Sequence, residues 1–149
     1  MFLEINNPQN LRADEKRLNE ILSRAREKFR LKDRFQVSVS IVPRSEILRL
    51  NSTQRGIEKE TDVLSFSYIL KEFPDHGGIV EIGDVVICAE VAKKQAIAHK
   101  HSFAEELAFL FAHGLLHIIG YNDETDQGVN EMNLLARDLL AYKEANCPI

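Results

Sequence analysis

The chain reads as an α+β domain: a small mixed β-sheet with helices packed on one side and a central metal-binding helix. Three observations predict this. Stretches of helical periodicity are interspersed with short stretches of period two, so strands and helices share one unit. The length of 149 residues, 44% of them hydrophobic and 28% charged, suits one domain over 1–149 with a sizeable core. The third is an apolar helical run from Leu107 to Ile119 that is interrupted by two histidines four positions apart, His113 and His117.

The elements follow in order. Ala13 to Phe29 has Leu18, Ile21, Leu22 and Ala25 on one side, and Asn10 or Asp14 can cap its start. Phe35 to Val42 alternates apolar and polar residues, which is the pattern of a half-buried strand. A shorter helix runs from Ser45 to about Asn51, and a polar stretch from Ser52 to Thr61 follows it. Val63 to Ile69 and Ile79 to Cys88 are strands, and the unbroken apolar portion Val85 to Cys88 predicts burial on both faces. Pro74 to Gly78 between them has the chemistry of an exposed hairpin loop. Helices are expected over Glu90–Ala98, Ser102–Ile119 and Asp126–Ala145, with Ser102 and Glu105 forming a capping box.

Chemistry concentrates in His113-Gly-Leu-Leu-His117-Ile-Ile-Gly120-Tyr-Asn-Asp123. Helical positions four apart share a face, so both imidazoles can aim at one point. Gly120 allows the chain to turn back, and Asp123 can then return as a third ligand. Its neighbour Glu124 is the rival for that place. Three protein ligands leave a fourth position open, which characterises a catalytic zinc site rather than a closed structural one. Imidazoles in so apolar a helix also need polar partners, and a shared metal supplies one for both.

Bulk properties bound the alternatives. No apolar stretch reaches the roughly 20 residues of a membrane span, and no part reads as a signal peptide. Cys88 and Cys147 make no disulfide framework, which predicts a cytoplasmic location, with Cys88 as a small core residue. A net charge of −4 provides no overall basic surface for nucleic acid. Two local basic segments, Arg24 to Arg34 and Lys93 to His101, are each either a solvated helix face or a contact for a polyanion. His76, His99 and His101 are expected to be solvated.

The histidine helix resembles the metzincin protease pattern, but Gly114 stands where that pattern has its general-base glutamate. Asn51-Ser-Thr-Gln-Arg55, Thr61-Asp-Val-Leu-Ser-Phe66 and Gly83-Asp-Val-Val-Ile-Cys88, ahead of the histidine motif, together resemble the bacterial YbeY-type endoribonucleases, also called rRNA maturation factors. The resemblance implies a zinc-dependent, single-strand-specific endoribonuclease. Its implied role is maturation of ribosomal RNA, at the 3′ end of the small-subunit RNA, and ribosome quality control. The implied partners are single-stranded RNA and the ribosomal small subunit, with no membrane.

The family motif has three histidines. His113 and His117 match the first two, and Asp123 stands at the third. Aspartate is an accepted zinc ligand, but its added negative charge weakens the Lewis acidity of the metal and can favour a harder divalent ion. Arg55 matches a basic residue of the family's RNA cleft, where a guanidinium forks onto phosphate oxygens and stabilises developing charge. Asp84 is expected either to hold a ligand imidazole or to be structural at the strand start. Two rival readings remain: a metal-dependent hydrolase of peptides or small substrates, and a non-catalytic ribosome-assembly factor with a structural metal.

Overall fold

Alternating apolar residues place four strands side by side in a computed structural model that describes residues 1–69 and 78–141. β1 (Phe2–Asn6), β2 (Phe35–Val42) and β4 (Val80–Cys88) run parallel, while β3 (Val63–Ser67) is antiparallel to β4. The order across the sheet is β1-β2-β4-β3. Nothing in the sequence reading anticipates β1. Only Leu3 and Ile5 mark its inner side, which is too short a signal for period two to stand out, and pairing with Val37 and Val39 supplies the rest.

Helices α1 (Glu15–Phe29), α4 (Phe103–Ile119) and α5 (Asp126–Leu140) build the main core with the sheet. Leu18, Ile21, Phe111, Leu115, Ile118 and Leu139 join Val37, Val39, Val85 and Ile87 there, all of them buried. α2 (Arg44–Arg55) forms a second, smaller cluster in which Ile47 packs with Leu64, Val86 and Cys88. Successive strand residues point to opposite faces, so these two clusters bury Val85 to Cys88 from both sides. α3 (Ala89–His99) gives Ala89 and Ala92 to the first cluster and Val91 to the second.

Several boundaries differ from the sequence reading. α2 continues past Asn51 to Arg55 and stops where Gly56 turns left-handed at φ 69°. This puts Arg55 in the last turn of a helix rather than in a loop. α5 reaches a C-cap at Ala141, which adopts φ 53° and whose N–H donates to the carbonyls of Arg137 and Asp138, while the rest of the expected helix up to Ala145 lies outside the described residues. The Pro74–Gly78 turn lies, apart from Gly78, outside the described residues, as does His76. At the start of α4, the Ser102 hydroxyl accepts from Glu105 N–H at 3.1 Å, while the Glu105 carboxylate is bonded to Arg17 of α1.

Two glycines let α4 lie directly on the sheet. A Cβ at Gly114 would sit 2.7 Å from Val85 Cγ1 and 3.0 Å from Ser65 Oγ. A Cβ at Gly83, on β4, would sit 2.7 Å from Ile118 Cδ1 and 2.7 Å from the Phe66 carbonyl oxygen. The Ile118 side chain can give way, but the strand carbonyl is fixed by its ladder. Gly83→Ala is therefore expected to destabilise the protein by about 1–3 kcal/mol. Urea unfolding should show a lower midpoint with an unchanged slope. A midpoint equal to wild type would mean that α4 is not seated as closely as described.

Candidate metal-binding cavity

The last turn of α4 and the turn after it form one wall of an open cavity of ≈ 500 Å³. Its lining includes His117 and Asp123 from this side, Arg55 from the end of α2, and Thr61, Asp62 and Ser65 from the β3 entry. Three of the four residues singled out from the sequence thus meet at one cavity, with Arg55 across from the metal motif. His113 lies one turn back on α4 and is half-buried.

Backbone carbonyls orient both imidazoles. His113 Nδ1 lies 3.0 Å from the Phe109 carbonyl oxygen, and His117 Nδ1 lies 3.0 Å from that of Tyr121. A carbonyl only accepts, so each Nδ1 carries the proton and each Nε2 keeps its lone pair for a ligand. Gly120 makes the second contact possible: its φ of 122° ends α4 and carries the chain round to Tyr121. The Asp123 carboxylate, 66% exposed, stands 4.0 Å from His117 Nε2. Donor atoms around a tetrahedral zinc lie roughly 3.4 Å apart, so a small inward swing of an exposed side chain closes that gap. His113 Nε2 is 3.5 Å from Asn133 Oδ1 on α5. Two imidazoles and a carboxylate are donors of the kinds a divalent metal takes, but the three are not all within 4.8 Å of one another, and His113 does not line the cavity that His117 and Asp123 share.

Glu124 is exposed, and its backbone N–H donates to Asn122 Oδ1 at 3.2 Å; the cavity wall takes Asp123. Asp62 fixes the start of β3, with Oδ1 accepting from Val63 N–H at 2.8 Å. Ser65, given no role in the sequence reading, reaches the same cavity with a buried hydroxyl that has no protein partner. Its alternation on a strand beside the metal motif was the available signal.

One open alternative is decided and one expectation is corrected. Asp84 holds no imidazole. It accepts from the Tyr68 hydroxyl at 2.6 Å and lines a different cavity with Ser40, Gln54 and Phe66. The tautomer-fixing role belongs to main-chain carbonyls, which no side-chain motif announces. Nor are His99 and His101 simply solvated. They converge on the fully buried carboxylate of Glu106, and the ligand atoms of these three residues all lie within 4.8 Å of one another. Among the described residues this is the one such group. A glutamate on the Leu110 stripe of an apolar helix was the clue, since a buried charge needs partners. Cys88 is buried as expected, and burial pushes its thiol up.

The family model described as Endoribonuclease YbeY matches residues 4–143. A relative of that description from Thermoanaerobacter sp. is 46% identical over 106 residues, 64% of this chain and 65% of the relative. The matched stretch thus spans a little under two thirds of that relative's length. The relative from Staphylococcus carnosus is 37% identical, with 77% of this chain and 76% of the relative covered. One from Mycoplasmopsis pulmonis is 32% identical over 93% of this chain and 94% of its own. The solution structure of a Thermotoga maritima protein shares the fold at TM-score 0.60 and 22% identity, covering 99% of this chain and 95% of that one.

The Tyr68–Asp84 pair gives a pH-dependent signature away from the metal motif. The hydrogen bond to the Asp84 carboxylate, helped by burial, pushes the Tyr68 phenol from its ordinary 10.0 up to about 12. A folded-state pKa raised above the unfolded one gives stability that is complete below pH 10.0 and lost as pH rises towards about 12. Spectrophotometric titration should show one tyrosinate appearing late, and Tyr68→Phe should remove that component. A Tyr68→Phe titration curve that keeps the late component would mean the phenol is not held by Asp84.

Proposed function

We propose, from the premise that this chain belongs to the Endoribonuclease YbeY family, that it is a metal-dependent endoribonuclease cutting single-stranded RNA at the cavity of Arg55, His117 and Asp123. The observation that carries this reading is the mixed charge of that wall. Arg55 faces Asp62 and Asp123 across the same cavity. One guanidinium against two carboxylates leaves a net negative pocket, which repels a phosphodiester. A divalent cation on His113, His117 and Asp123 reverses that balance, and the fixed Nδ1–H tautomers present the nitrogens that such an ion needs.

Zinc is the first choice for this donor set of two imidazoles and a carboxylate, with another divalent ion second because of Asp123. When bound, the ion supplies Lewis acidity towards a phosphoryl oxygen and activates water for attack on the phosphodiester. The chain's own residues do the rest. Arg55 binds the phosphate through its planar fork and stabilises charge that develops on the non-bridging oxygens. The carbonyls of Phe109 and Tyr121 keep both rings in orientation through the reaction. Gly114 takes no part, since α4 at that point faces Val85 and Ser65 with no room for a carboxylate side chain.

The cellular role follows the same reading: maturation of the small-subunit ribosomal RNA at its 3′ end, with ribosome quality control, by one domain in the cytoplasm that meets the ribosomal small subunit. No single helix among the described residues is long and apolar enough to cross a membrane.

The test is cleavage of a single-stranded RNA spanning a small-subunit rRNA 3′ end. Metal-loaded protein, chelated protein and the His113→Ala/His117→Ala protein are compared after identical preparation. Cleavage by the loaded wild type alone is expected. Equal cleavage in all three would identify a contaminant, and none in any would sink the reading. Arg55→Ala should lower kcat/KM on the order of 100-fold. Arg55→Lys should restore only part of this, because a point charge cannot fork onto two oxygens.

A further inference from the structure

Glu106 is the one fully buried carboxylate among the described residues, with 0% exposure. It lies on the inner face of α4, one turn before Leu110. Its Oε2 is approached by His99 Nδ1 at 2.9 Å and by His101 Nε2. Its Oε1 has no protein partner at all. A buried carboxylate with an orphaned oxygen is costly unless positive charge stands against it. Among the described residues, no lysine or arginine does so, and the only polar partners are the two imidazoles.

From this we infer that His99, His101 and Glu106 form a divalent-cation site at the α3–α4 junction, separate from the cavity of Arg55, His117 and Asp123. Two imidazole nitrogens and a carboxylate suit zinc, cobalt and similar borderline ions. The left-handed Lys100, at φ 57°, turns the chain between the two histidines so that both rings face the same carboxylate. His99 is 40% exposed and His101 16%, so an ion can enter from solvent and keep water in its remaining positions. The cation takes the place of imidazole protons and gives the orphaned oxygen a partner. It also ties the end of α3 to the first turns of α4. The Phe109 ring lies 6.0 Å from His99 and 4.4 Å from His113, so the site braces the stretch of helix that carries the first ligand of the proposed catalytic metal.

Co²⁺ titration of the full chain, followed by visible absorption and by metal analysis after equilibrium dialysis, tests the assignment. The His113→Ala/His117→Ala protein lacks the donors of the other cavity and should still bind one Co²⁺ per chain. Adding His99→Ala should weaken that binding by at least about 100-fold, since even outer-shell losses at metal sites cost 10–100-fold. His99→Ala leaves the His101–Glu106 hydrogen bond in place, so a native circular dichroism spectrum is expected. Glu106→Gln, which keeps the shape and removes the charge, should give the same loss. If the His113→Ala/His117→Ala protein binds no Co²⁺, or binds it equally with and without His99→Ala, protons alone neutralise Glu106 and the site does not exist. The count is independent of RNA cleavage, so this inference and the proposed activity fail separately.

Discussion

The contact between α4 and the sheet governs the rest of the molecule. Gly114 and Gly83 remove the two Cβ atoms that would hold the helix off β3 and β4. With the helix seated this deeply, Phe111, Leu115 and Ile118 enter the main core and His117 emerges at the edge beside β3. The Ser67 hydroxyl donates to the Ile118 carbonyl at 2.8 Å and pins the end of the helix to the strand. Any side chain at position 114 must push the helix outward and carry His113 and His117 with it. The lack of a glutamate beside the first histidine is therefore a packing requirement. A base delivered from the helix is incompatible with the depth at which the helix lies.

That depth also explains how the polar groups of α4 are satisfied. A helix buried along most of its length cannot leave imidazoles or carboxylates unpartnered. His113 donates to the carbonyl one turn earlier, and His117 donates to the carbonyl that Gly120 brings round. Both solutions use the main chain and leave the second ring nitrogen available. Glu106 has no such local option, because a carboxylate only accepts and the helix around it presents carbonyls to its side chains. It draws His99 and His101 inward instead, which ties the α3–α4 turn to the core.

Much of this was legible in the residues. The period-two stretches at Phe35–Val42 and Val63–Ser67 and the buried run Val85–Cys88 locate three strands, because alternation and burial are local properties. The spacing of His113 and His117 puts both on one side of α4 because helix geometry converts spacing directly into direction. What escaped depends on contacts between segments far apart in the chain. β1 exists through its pairing with β2, and Asp84 turns to Tyr68 rather than to an imidazole. The partners of Glu106 come from across a turn that the sequence marks only as a helix end. The length of α2 lies between these cases. Ser52 to Arg55 looks polar and loop-like, yet the helix is solvent-facing there and needs no apolar residues to continue until Gly56.

In the proposed function, Arg55 and Asp123 let this chain depart from a three-histidine motif and keep the chemistry. A carboxylate at position 123 adds negative charge to a wall that already has Asp62. The added charge strengthens the hold on a cation and lowers its pull on substrate oxygens. The loss falls on the electrophilic side of the reaction, which the guanidinium of Arg55 can partly supply from the opposite wall. Asp123 sits on an exposed turn after Gly120, so it can approach a metal without disturbing the core, whereas the two histidines are fixed by α4. On that proposal the third ligand stands on an exposed turn, whereas the first two stand on a buried helix. In the proposed site the helix-borne pair sets direction, and the exposed carboxylate sets charge.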